Sequence, residues 1–138
     1  RDAMTTLVAA NVLIDLIEGT SDWYGWSEQH FLQAASVGPV YINAVIYAEI
    51  ARDFATQSDV VDFLRELHIA PDPIDLDMAF QAAQAHTRYR SAGGQRSATL
   101  PDFFIGAHAN VRGWTLLTRD SKRIQTYFPD VKLISPAP

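Results

Sequence analysis

Apolar residues along the chain come in two patterns, short unbroken runs and stretches spaced three or four residues apart, and the two alternate from end to end. Unbroken runs of this length suit buried strands, and the wider spacing suits helices that bury one face. Residues 5–10 form an apolar run that passes directly into a helix over 11–17, stopped by Gly19 and Thr20. Ser21 or Asp22 can cap a second helix, in which Trp23, Trp26, His30, Phe31, Ala34 and Ala35 share a face as far as Gly38-Pro39. Val40-Tyr41-Ile42 reads as a strand, and Asn43 can cap a helix bearing Val45, Ile46, Ile50 and Phe54. Val60, Phe63, Leu64 and Leu67 mark a further helix, and residues 68–74 cross Pro71 and Pro73 as a short strand or extended connection.

Asp75 or Asp77 starts a long helix through Met78, Ala82, Ala85, His86 and Tyr89, ending before a polar stretch at 91–98 that is expected to be mobile. Pro101 suits the first turn of the next helix, which runs through Phe104, Ile105, Ala107 and His108 to about Arg112, with Gly113 as its stop. A strand at 114–117, a brief helix at 121–127 and a last strand at 131–134 complete the pattern. Repeated strand-helix alternation predicts an α/β fold with a parallel sheet covered by helices, in which ligands collect beyond the carboxyl ends of the strands.

A chain of 138 residues with no long linker and no internal repeat is expected to form one domain. Arg1-Asp2-Ala3 ahead of Met4 reads as an expression scar, which puts the domain at 4–138. With no cysteine, a metal can be held only by oxygen or imidazole ligands, and a cytoplasmic location is the expectation. No apolar run approaches the roughly 20 residues of a membrane span, so no membrane partner is expected. The formal net charge of −5 opposes a grip on phosphate over the whole surface, so any nucleic-acid contact must be local or mediated by metal.

Three acids occupy the places where chemistry is expected. Glu49 lies on the helix after the second strand, Asp102 opens a helix, and Asp120 follows the strand at 114–117. Carboxylates without thiolates suit Mg²⁺ or Mn²⁺, and such a site supports phosphoryl transfer by orienting a phosphate and activating water. Taken singly, each acid is better explained as a surface charge or a helix cap, so the pattern around them has to decide. His30, His68, His86 and His108 form no ligand pair, and packing or a satisfied hydrogen bond accounts for them. Arg88, Arg90 and Arg96 beside Gly93-Gly94, with Arg119 and Lys122 beside Asp120, are candidate RNA phosphate contacts, a solvated loop or simple charge balance being the alternatives. Trp23, Tyr24 and Trp26 are either core residues or, if exposed, an interface. No Gly-rich phosphate loop points to a nucleotide cofactor.

Leu7-Val8-Ala9-Ala10-Asn11-Val12-Leu13-Ile14-Asp15 resembles the opening of VapC-type PIN domains, in which a strand ends in an aspartate; Ala9 stands in the aspartate's place. Ile46-Tyr47-Ala48-Glu49-Ile50, Leu100-Pro101-Asp102-Phe103-Phe104-Ile105-Gly106-Ala107-His108-Ala109 and Leu117-Thr118-Arg119-Asp120-Ser121-Lys122-Arg123 are similar to the family's later blocks, in its order. The resemblance implies a PIN-like three-layer α/β/α sandwich with a central parallel sheet of four or five strands. It also implies the toxin of a type II toxin-antitoxin pair, a Mg²⁺- or Mn²⁺-dependent endoribonuclease that cleaves RNA and inhibits translation. The acids would be Glu49, Asp102 and Asp120, with the Ala9 position and Asp102 the usual direct metal ligands and Asn11 and Thr118 supporting them. A VapB-like antitoxin and a homodimer are the implied partners. Ala9 implies weak metal binding and an inactive chain, by deliberate Asp-to-Ala substitution or natural degeneration, unless Asp15 one turn further on takes over; the helical position of Asp15 favours a helix-surface or structural role instead. The alternative is a PIN-like module that has lost its metal and binds RNA or protein.

Overall fold

The computed structural model describes residues 4–93 and 100–137. Five strands, β1 (Thr6–Val8), β2 (Val40–Ile42), β3 (Ile69–Pro71), β4 (Thr115–Leu117) and β5 (Leu133–Ile134), form a single sheet in the order β3-β2-β1-β4-β5. Every neighbouring pair is parallel, with Thr6 opposite both Val40 and Thr115. The chain builds outward from β1 through β2 to β3, then crosses back to lay β4 on the other side of β1. This reversal leaves a crevice at the carboxyl ends of β1 and β4, where open parallel sheets take their ligands.

Among the described residues seven helices flank the sheet: α1 (Ala10–Glu18), α2 (Tyr24–Val37), α3 (Ala44–Ala51), α4 (Gln57–Glu66), α5 (Leu76–Ser91), α6 (Leu100–Arg112) and α7 (Lys122–Tyr127). The starts of α3, α4 and α5 follow capping chemistry. Asn43 Oδ1 accepts from the Ile46 N–H at 2.9 Å, Thr56 Oγ1 from Asp59, and Asp75 Oδ1 from Met78 at 2.9 Å. Gly19 and Gly113, at φ 71° and 72°, take the left-handed conformation that ends α1 and α6. None of the described helices is long and apolar enough to cross a membrane.

The largely apolar strand pattern has its reason in the core, since Leu7, Val8, Ile42, Leu116 and Leu117 are fully buried between the helical layers. Sequence expectations and structure differ at the edges. Helix α2 begins at Tyr24, because Ser21 Oγ accepts the Trp23 N–H at 3.0 Å and holds a turn ahead of the helix. The last strand is two residues long and leaves out Val131, which is buried beside α7. Helix α5 runs on through Ser91, and most of the polar stretch after it, with Arg96, lies outside the described residues.

A polar network inside the core ties the returning helix to the sheet. His108 on α6 is fully buried, its Nε2 2.7 Å from Asp72 Oδ2 and its Nδ1 3.2 Å from Asn43 Nδ2. With Asn43 donating to Nδ1, the imidazole is neutral and donates from Nε2 to Asp72. Asp72 also accepts from Arg112 Nε at 2.8 Å, and its own N–H donates to the Ile42 carbonyl. Burial pushes the His108 pKa down against the opposing pull of Asp72. Burial pushes Asp72 upward, but hydrogen bonds from Arg112 and His108 outweigh it and hold the carboxyl below its usual range.

Candidate active site

The crevice predicted by the topology is a cavity of about 220 Å³. Ala9, Ala10, Asn11 and Ile14 line it from the β1–α1 junction, Glu49 and Arg52 from α3, and Asp102, Phe103 and Ile105 from α6. Leu116, Thr118 and Asp120 come from β4 and the loop after it, and Arg123, Ile124 and Phe128 from α7 and its end. Residues more than a hundred positions apart thus share one wall, and all six residues expected at the site or supporting it (Ala9, Asn11, Glu49, Asp102, Thr118, Asp120) face the same space.

The acids differ in setting. Glu49 is half-buried, and its pKa is raised first by burial and then by the charge of Asp102, while Arg52 opposes the shift. Two carboxylates that repel each other across a partly dry cavity would be stabilised by a cation between them. Asp120 is largely exposed, with Arg123 Nη1 3.9 Å from its Oδ2. Among the described residues no three His, Asp or Glu side chains gather closely enough to hold a metal on their own. The donor set still fits Mg²⁺ or Mn²⁺ in kind, since Mg²⁺ takes oxygen ligands and is commonly held by one or two carboxylates, with water and substrate phosphate supplying the rest.

Ala9 is buried at the N-cap of α1, with extended backbone and no side chain to accept from the first turn. An alanine at this place costs about 1 kcal/mol relative to aspartate or serine, so helix chemistry alone favours a short acid there. Asn11 and Thr118 join the β1–α1 junction to the loop after β4. Asn11 Nδ2 donates to Thr118 Oγ1 at 3.2 Å, Asn11 Oδ1 accepts the Arg119 N–H, and Thr118 Oγ1 accepts the Asp120 N–H at 3.1 Å. These bonds fix the loop that carries Asp120.

One expectation, at Arg119, needs correction, and one alternative, Asp15 as the replacing acid, falls away. Asp15 does not line the cavity and so does not replace an acid at position 9. It is a buried structural anion, bonded by Arg119 Nε at 2.8 Å, Arg119 Nη2 at 3.2 Å and Ser27 Oγ at 2.6 Å. Arg119, a candidate RNA contact, is therefore committed to this pair, with its guanidinium 5.3 Å from the Trp23 ring. Arg88, Arg90 and Lys122 also stand outside the cavity lining, and Arg88 Nη2 donates to the Tyr127 carbonyl. The cations that do line it, Arg52 and Arg123, were missed. Each sits three residues after a candidate acid, Glu49 or Asp120, on the same helical face or turn, and that spacing was the available signal.

A parallel sheet covered by helices, with acids gathered at its switch point, places the chain in the α/β class. The chain matches the PIN domain model over residues 7–129 and belongs to that family. Solved structures agree in fold. The VapBC2 complex of Rickettsia felis, bound to promoter DNA, aligns with TM-score 0.73 at 15% identity, covering 96% of this chain and 99% of that one. A toxin-antitoxin complex from Klebsiella pneumoniae aligns with TM-score 0.69 at 21% identity over 96% and 98% of the two chains. VapC20 of Mycobacterium tuberculosis, a toxin that cleaves the sarcin-ricin loop, aligns with TM-score 0.66 at 16% identity over 91% and 98%. Among curated proteins none matches.

Proposed function

We propose that the scaffold is that of a VapC-like toxin, a Mg²⁺- or Mn²⁺-dependent endoribonuclease, and that this chain is an inactive form in which alanine replaces the first acid. The observation that carries the reading is the convergence of Ala9, Glu49, Asp102 and Asp120 on one cavity at the switch point of a PIN fold. Toxin-antitoxin complexes among the structural neighbours support a VapB-like antitoxin as partner, and Trp23, 39% exposed at the start of α2, is available to it.

Glu49 and Asp102 are the residues that would hold the cation, with Asp120 at the rim. When bound, the ion would supply charge neutralisation at the scissile phosphate and lower the pKa of an attacking water. The chain's own residues orient and exclude. Phe103, Ile105 and Leu116 dry the floor of the cavity, which strengthens every charge interaction above it. Half-buried beside Asp102, Glu49 would meet the cation as a carboxylate whose repulsion from its neighbour the ion relieves. The methyl of Ala9 offers no oxygen to cation or water, so the proposed catalytic set is one acid short.

Cleavage of total RNA in Mg²⁺ or Mn²⁺ tests the reading, with three proteins compared: the chain itself, Ala9→Asp, and Ala9→Asp combined with Asp102→Ala. Cutting by Ala9→Asp alone is expected. If none of the three cuts, the nuclease reading is overturned and a PIN-like module that binds RNA or protein takes its place, a reading favoured by the lack of a three-acid cluster among the described residues.

A further inference from the structure

The sign of the charge in the cavity carries a further inference, which rests on the ribonuclease reading. Three carboxylates face the space, and a divalent cation offsets only two of their charges, so acids and cation together still repel a phosphate. The guanidiniums of Arg52 and Arg123, in the same lining, reverse that balance. They also flank the site. Arg52 closes α3, which follows β2, and Arg123 lies on α7, which follows β4, so the two approach the carboxyl end of β1 from its opposite neighbours.

Both are available where the other arginines near the core are not. Arg112 is bonded to Asp72, and Arg119 is bonded to Asp15 through two nitrogens. Arg52 makes no ion pair among the described residues, its Nε reaching only the Glu49 carbonyl at 3.4 Å, and its charge is felt by the Glu49 carboxyl. Arg123 meets Asp120 only at 3.9 Å and rests 5.5 Å from the Tyr89 ring, which steadies the guanidinium without using up its donors.

We propose that Arg52 and Arg123 form a two-sided clamp on the RNA backbone, each holding a phosphate beside the one that enters the cavity. Guanidinium forks suit phosphate oxygens, which they bind two at a time. The clamp also explains how a chain with a net charge of −5 can hold a polyanion, by placing two cations where the strand passes.

Fluorescence anisotropy of a labelled single-stranded RNA dodecamer, titrated with the chain in Mg²⁺ over a series of salt concentrations, tests the clamp. Arg52→Gln, Arg123→Gln and the double variant are compared with Arg65→Gln, a control whose guanidinium pairs with Asp62 on the outside of α4. Each clamp variant is expected to bind about 5-fold more weakly and to lower the slope of log affinity against log salt by roughly 0.7, with both effects adding in the double variant and neither in Arg65→Gln. Unchanged melting temperatures check folding; should Arg123→Gln unfold, Arg52→Gln decides alone. Equal binding and an equal salt slope in the double variant overturn the clamp and leave the nuclease reading standing. If the chain binds no RNA at all, the clamp falls with it, while cleavage by Ala9→Asp remains the separate test of the nuclease.

Discussion

A single methyl group at position 9 and a buried carboxylate six residues later show how differently neighbouring positions on one helix are used. Ala9 caps α1 at the mouth of the cavity, whereas the Asp15 carboxylate is 3% exposed and points to Arg119 and Ser27. Breaking a buried pair by removing one partner leaves the other uncompensated and costs on the order of 3 kcal/mol. Asp15→Ala is therefore expected to lower the melting temperature by about 10 °C, read by calorimetry. Because the Arg119 N–H also bonds Asn11, the same variant should speed amide exchange at Arg119 and Asp120, while exchange in β3 stays unchanged. A loss of less than about 1 kcal/mol would mean that the pair behaves as an ordinary surface bridge.

Helix α6 brings Asp102 to the site, and its placement depends on close contact with α7. A Cβ at Gly106 would lie 2.5 and 2.7 Å from the Phe128 ring, and Phe128 itself lines the cavity. Glycine inside a helix costs about 1 kcal/mol relative to alanine, so propensity alone says that Gly106→Ala stabilises. The contact says the opposite, since overpacking costs typically 1–3 kcal/mol. A lower melting temperature for Gly106→Ala is expected, together with a shifted Phe128 ring signal in the NMR spectrum. A higher one would show that the α6–α7 contact yields easily. Toward its C-terminus α6 is tied to the sheet by His108, Asp72 and Arg112, so the middle and the C-terminal end of the helix that presents Asp102 are held by tertiary contacts.

For the molecule as a whole, these buried groups set a direction for stability against pH. The pKa of His108 is lowered by folding, so its neutral form contributes fully above the unfolded histidine value of about 6.5 and the contribution is lost as pH falls below that. Asp72, also lowered, contributes above about 4 and loses that contribution at still lower pH. Glu49, raised, runs the other way and is relieved by acid. Melting temperature is thus expected to fall between pH 7.5 and 5.5, and His108→Gln should flatten that slope; an equal slope in the variant would rule His108 out as its cause. Much of this architecture was already legible in the amino-acid order. Short apolar runs alternating with helical spacing, the caps at Asn43 and Asp75 and the stop at Gly113 are local signals, and they specified the α/β class and nearly every element. The blocks around Ala9, Glu49, Asp102 and Asp120 also marked which positions would meet. Only the tertiary structure decided how charge is distributed among them. It paired Arg119 with Asp15, buried His108 against Asp72, and left Arg52 and Arg123 at the cavity. Spacing along a chain reports neighbours within a helix or strand, whereas the partner of a charge is chosen by which elements the sheet order brings together, across more than a hundred residues between Asp15 and Arg119.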